Sequence, residues 1–252
     1  MALIIAGQTT ISINTVYQRV LALANKEQRG YITPQEFNLF ANQAQMDIFE
    51  QYFYDLNQFS RVPGNDTAHA DIITLLNEKI DHFEKYRAAV DMSNGSGVGI
   101  LPDYYRIGQV FYYDTNNKYV EIEKINQNDI HHIQNSPLTK PNETRPVYVR
   151  FSSAGDNQSN RERRIQIYPT TITSRVQCNF IARPTDVSWA YTEVNGTALF
   201  NSASAVNFEL HASEEKNLVI KILALAGIAI DDSGLYQIAS QENTKEIQQE
   251  KQ

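Results

Sequence analysis

The sequence predicts an α+β fold: an N-terminal helical hairpin plus a third helix, a small antiparallel β-domain of about seven short strands, and a C-terminal apolar helix with a polar helical tail. Three observations carry this. Apolar residues recur at helical spacing through the first third of the chain, alternate with polar ones from Leu101 onward, and run almost unbroken across residues 218–230. The boundaries that follow are a helical region at 1–92, a flexible linker at 93–100, the β-domain at 101–211, and C-terminal helices and tail at 212–252, packed on the N-terminal helices.

Val16, Val20, Leu21 and Leu23 define the first helix, with Asn14 as its expected cap and Gly30 as its stop. The second opens on Thr33-Pro34-Gln35-Glu36, where Thr33 is the N-cap, Pro34 the first helical residue and Glu36 the return arm of a capping box. Its apolar face is Phe37, Phe40, Ala41, Ala44, Ile48 and Tyr52, and it runs to about Asn57. A turn around Pro63-Gly64-Asn65 leads to a third helix over 71–86, with Ile72, Leu75, Leu76, Ile80 and Phe83 on one face. Residues 93–99 (SNGSGVG) read as a flexible loop.

Segments 104–113 and 118–125 flank Asp114-Thr115-Asn116-Asn117 as a hairpin, and 126–135 suits a short helix. Further strands are expected at 146–152, 164–168, 174–182, 187–194 and 206–210, with a polar loop at 153–163. Ser213, Glu214 and Glu215 start the apolar helix, and Asp231-Asp232-Ser233-Gly234 breaks it.

With 252 residues, 42% of them hydrophobic, the chain can bury a substantial core. A net charge of −7 disfavours a protein that grips nucleic acid phosphates. A single cysteine, Cys178, excludes an intrachain disulfide. No leader is read at the start, and the 218–230 run, interrupted by Lys221, is too short to span a bilayer.

Several stretches imitate catalytic or ligand motifs. Residues 25–36 place Gly30 and Glu36 at calcium-loop positions, but Asn25 stands first and Arg29 sits among the ligands, so a helical corner is expected. Residues 95–99 lack the lysine and hydroxyl of a phosphate loop. His131 and His132 are adjacent, which puts them on different helix faces, and Cys178 lies in phase with Val176 and Phe180 as a buried apolar residue. No catalytic residue, cofactor or metal ligand is expected, and the chain is read as non-enzymatic.

The phrase TVYQRVLALANKEQRGYITPQEFNLFANQAQMDIFEQYFYDLNQF (residues 15–59) resembles the opening of virion structural proteins from short-tailed phages, the crAss-like group included. Leu101-Pro102-Asp103-Tyr104-Tyr105, Ile167-Tyr168-Pro169, residues 180–184 and the 218–230 helix are similar to features of their head-to-tail adaptor, or ring, proteins. The resemblance implies a ring of about a dozen subunits below the portal. It implies the portal and downstream tail proteins as partners, DNA passing through without specific binding, no membrane, and a place in the neck of a virion assembled in the host cytoplasm. Another tail component remains open as the alternative: a tail hub, or an adhesion module stacking sugars on Trp189, Tyr191 and the Tyr104-Tyr105 pair.

A ring needs two unlike adhesive faces on each subunit. The candidates are the apolar run Leu3, Ile4 and Ile5; the aromatic set Phe49, Tyr52, Phe53, Tyr54 and Phe59; the basic cluster Arg161, Arg163 and Arg164; and Tyr236, Ile238 and Ile247 in the tail, which by resemblance docks on the portal.

Overall fold

A computed structural model describes residues 10–26, 32–61, 67–152 and 163–229, with Gln241 and Lys245. The chain divides into a helical unit (residues 1–82 and 184–252) and a β unit (83–183). The fold is α+β. The β unit begins at Phe83 and ends at Arg183, so residues 184–211 belong with the helices rather than with the sheet.

In the helical unit, α1 spans Ile13–Lys26, α2 Pro34–Arg61, α3 Thr67–Asp81 and α5 Glu215–Ala229, and α2 packs against both α3 and α5 while α1 packs on α5. The capping box forms: Thr33 N–H donates to Glu36 Oε2 at 2.9 Å and Glu36 N–H donates to Thr33 Oγ1 at 3.3 Å. The Thr33 N–H bond to the ionised carboxylate, and after it a 2.7 Å bond from the Thr33 hydroxyl to the same oxygen, hold the Glu36 pKa below its usual range. The α1 cap differs from expectation. Ser12 Oγ accepts from Thr15 N–H, and Asn14 lies inside the helix with Oδ1 accepting from Trp189 Nε1.

On α5, Leu218, Ile222 and Ala226 are fully buried and Val219 and Leu223 nearly so. Each large aliphatic side chain removed from water contributes about 1.5–3 kcal/mol. The helix is entered through a buried carboxylate, Glu214, which Lys79 Nζ meets at 2.6 Å and Asn217 Nδ2 at 3.0 Å. Partners for both oxygens are what make a charge tolerable there.

Segment 184–190 has strand-like alternation but joins no sheet. Its backbone is held by amide side chains of α2. Asn42 Oδ1 accepts from Val187 N–H at 2.7 Å while its Nδ2 donates to Val187 O at 3.0 Å. Asn38 does the same with Trp189 (2.7 and 3.4 Å), and Gln45 Nε2 donates to Thr185 O at 2.9 Å. Residues three or four apart on a helix advance about 4.5–6 Å, and two residues of extended chain about 6.6 Å, so the repeats nearly match. Gln45, only 2% exposed, also accepts from Glu209 N–H, so both ends of its amide are satisfied. Segment 206–210 makes only single bridges, Ser188 to Val206 and Ile11 to Phe208. The sole strands in this unit among the described residues are β8 (Tyr191–Val194) and β9 (Thr197–Phe200), joined by Asn195-Gly196 with φ of 53° and 76°.

The β unit holds seven strands: β1 (Glu84–Ala89), β2 (Val98–Ile100), β3 (Arg106–Tyr113), β4 (Tyr119–Lys124), β5 (Val147–Ser152), β6 (Arg163–Tyr168) and β7 (Val176–Ile181). They run in the order β1-β7-β3-β4-β5-β6-β2, antiparallel except for β4 with β5. The two outer strands then meet. Ile100 N–H donates to Asp91 O at 2.7 Å and Asp91 N–H to Ile100 O at 3.1 Å, closing the sheet into a small barrel. Ile165, Ile167, Val110, Ile122, Val176 and Cys178 fill its interior.

Two expectations fail here. The third helix stops at Asp81, and residues 84–89 form β1 because β7 offers them a ladder. The presumed linker 93–100 is the closing turn and strand β2. Gly97 sits at φ +74°, and a Cβ on it would lie 2.7 Å from Ile167 O, so this glycine serves a tight turn rather than a tether.

The barrel bends at one place. β1 and β3 flank β7, and both place two residues opposite Asn179 alone. Asn179 Oδ1 accepts from Arg87 N–H at 2.9 Å, which secures the left-handed Arg87 backbone (φ 56°) in the β1 bulge. Outside the barrel, α4 (Ile130–Asn135) lays Ile130 over Val147 and Val149.

Candidate assembly surfaces

Of the aromatic set on α2, Phe49, Tyr52 and Phe53 are buried within the helical unit, Phe59 is half-buried, and Tyr54 is 62% exposed. The reason is the double flank of α2. Positions 49, 52 and 53 share one stripe, and Tyr54 is turned about 100° from Phe53. Arg163 is committed within its own unit. Its guanidinium stacks 4.6 Å from the Tyr104 ring, pairs with Asp103 at 3.4 Å and donates to Tyr104 O. Arg164 is half-buried in β6. Leu3, Ile4, Ile5, Arg161, Tyr236, Ile238 and Ile247 lie outside the described residues.

Of the sugar-stacking candidates, Trp189 and Tyr104 are occupied, while Tyr191 is 37% exposed. Trp189 is 4% exposed, 4.3 Å from the Tyr17 ring and 5.6 Å from Phe200. Tyr104 lies under Arg163.

A different aromatic surface is exposed on the barrel. Arg87 places its guanidinium carbon 4.9 Å from the Tyr86 ring and 5.7 Å from the Tyr113 ring. Tyr119 adds an edge-on contact to Tyr113 at 6.5 Å. Tyr86 is 71% exposed and Tyr119 44%. The guanidinium has no hydrogen bond or ion pair among the described residues, although two rings and a bulge fix its position. The Tyr119 hydroxyl is pushed up from its ordinary value by desolvation and then by Glu121. Tyrosine and arginine held rigidly on strands are the side chains that dominate protein interfaces. Sequence reasoning missed this surface because residues 71–86 were assigned to a helix, which would have scattered the four side chains.

The second surface is a groove of about 970 Å³ whose walls include Val110, Ile122, Ile133, Leu138, Val147 and Tyr148, with Glu121, Glu123, Lys124 and Arg145 among its polar lining. It exists because β4 changes partner. The β3–β4 ladder ends at Val110 opposite Ile122, and Glu123 and Lys124 then pair with β5. Leu138 is 89% exposed, the most exposed large hydrophobic residue among those described.

No group of three or more His, Cys, Asp and Glu side chains among the described residues is arranged to hold a metal. In the calcium-loop imitation, residues 27–31 lie outside the described residues and Glu36 is engaged by Thr33. Cys178 is fully buried in the barrel, and burial pushes its thiol up to about 11. No described helix is long and apolar enough to cross a membrane.

The sequence matches no protein-family model and no curated protein.

Proposed function

We propose that this chain is a structural virion protein that forms a homo-oligomeric ring below the portal, joins capsid to tail, and extends the DNA channel without catalysing a reaction. The resemblance of residues 15–59 and the later motifs to ring proteins of short-tailed phages supplies the family. The observation that carries the reading is a pair of unlike adhesive surfaces on one barrel. One is the fixed Tyr86–Arg87–Tyr113–Tyr119 face and the other is the apolar groove beside Leu138. A closed ring of identical subunits requires two unlike surfaces, because each contact is heterologous. The acidic balance, −7 overall, fits a conduit that duplex DNA slides through rather than sticks to.

Electron microscopy of the purified protein, alone and mixed with the portal of its own phage, tests the proposal. Rings in either sample are expected. A monomer that ignores the portal overturns it. The exposed tyrosines around Arg87 favour one second reading, an adhesion module, for which a glycan-binding screen is the test.

A further inference from the structure

We infer that the groove on the barrel receives the apolar segment at residues 2–6 (ALIIA) of a second copy as an added strand. The inference rests on the ring reading and names one contact within it.

The groove is an interrupted ladder. Beyond Val110, strand β3 keeps β7 on one side, but Gly108 and Gln109 have no cross-strand partner on the other among the described residues, because β4 has turned to β5. Both residues are exposed and both line the groove. Exposed strand backbone beside apolar walls is the arrangement that binds an extended peptide: main-chain hydrogen bonds hold it, and alternate side chains select it. At Gly108 a Cβ would lie 3.0 Å from Asn179 O, so the glycine lets β3 press close to β7 at the bulge, opposite the unpaired edge.

The occupant is argued from what such a strand must be. It must be short, apolar at alternate positions and free of charges that the groove would desolvate. Residues 1–9 lie immediately before the described chain, which starts at Thr10, and contain no charged side chain. Leu3 and Ile5 share one face of an extended segment, so they enter the groove together toward Ile133, Leu138 and Val147 while Ile4 faces away. The five residues span about 16 Å, enough to cover the open part of β3 and continue along the apolar wall. A second copy is the source because a ring supplies one donor and one acceptor at every contact, leaving neither unused.

The test uses the full chain in two differently tagged forms, one with Thr139→Cys at the groove rim and the other with Ala2→Cys or, separately, Ala6→Cys, which covers both strand directions. Cys178 stays in place because it is fully buried. Mild oxidation of assembled particles is expected to give a disulfide joining the two tags. Rings without that disulfide overturn the inference and leave the ring reading standing. A third form carrying both cysteines in one chain separates the sources: a disulfide within that chain as a monomer, with none between the two tags, overturns the second copy as source. If electron microscopy shows no rings, the ring reading fails and the inference with it. As an independent readout, Leu3→Asp with Ile5→Asp is expected to reduce the assembled fraction at least tenfold without changing the circular dichroism of the monomer. Unchanged assembly in that variant overturns the inference.

Discussion

Replacing Asn42 with alanine removes one rung of the amide ladder that holds residues 184–190 on α2. The variant loses the 2.7 Å bond from Val187 N–H and the 3.0 Å bond to Val187 O, and Val187 is only 2% exposed. A stranded buried backbone group costs about 1–3 kcal/mol, and two are stranded here, with partial relief where water reaches them. Alanine returns about 0.5 kcal/mol through its higher helix propensity. The net loss is about 3 kcal/mol. The assay is urea denaturation followed by tryptophan fluorescence, because the single tryptophan, Trp189, lies at the end of this segment, buried in the helical unit. With a urea dependence of about 2 kcal/mol per molar, the midpoint falls by about 1.5 M at unchanged slope. Asn57→Ala, an exposed position on the same helix, serves as the control and is expected to shift the midpoint little. A shift below about 0.3 M for Asn42→Ala refutes the claim that the amide replaces a sheet partner.

Three further outcomes are expected. The Cys178 thiol, pushed to about 11 from an ordinary 9.0, favours the folded state while protonated, so this contribution is complete below pH 9 and is lost as pH rises toward 11. The total is about 2–3 kcal/mol, and Cys178→Ala should lose the corresponding alkaline decline in stability measured by far-UV circular dichroism; superimposable profiles of the two proteins would show the thiol is not linked to folding. Gly97→Ala drives a Cβ to 2.7 Å from Ile167 O at positive φ and should destabilise the barrel by more than 2 kcal/mol, whereas Gly95→Ala, with open space around it, costs about 1 kcal/mol; alkylation of Cys178 in dilute urea measures both, and equal effects would remove the steric argument. Arg87→Glu should abolish ring assembly at unchanged melting temperature, with Arg87→Lys intermediate, and rings formed by Arg87→Glu would exclude that face from the contact.

The parts of the fold legible in the sequence were those whose pattern is local. The capping box at Thr33 and Glu36 needs only four residues, and strands β4, β6 and β7 alternate because one side of each faces the barrel interior. Strand β1 was illegible because nearly all of it is exposed and it has no apolar alternation; its conformation comes from β7, distant in sequence. Of the strand expected at 187–194, residues 191–194 form β8, and residues 187–190 depart from expectation for the opposite reason. Their alternation is real, but Asn38, Asn42 and Gln45 take the place of a neighbouring strand, and an amide on a helix carries no visible mark of that role. The Asn195-Gly196 turn that joins β8 to β9 is a local signal too, since both residues take positive φ. At the surfaces, burial of Phe49, Tyr52 and Phe53 depends on α3 and α5 covering two sides of α2. The Arg87 face depends on a bulge set by Asn179. Neither relation leaves a local trace.

Phe83 opens the β unit and Ala182 nearly closes it, and the two are hydrogen-bonded, Ala182 N–H to Phe83 O at 2.8 Å. The excursion of about a hundred residues therefore departs from and returns to one spot. In mechanical terms the barrel's two chain ends are clasped together: tension applied across them loads the Phe83–Ala182 bond before it reaches the strands between. Adjacent chain ends also allow the barrel to be exchanged or lengthened over generations while the helices keep their packing.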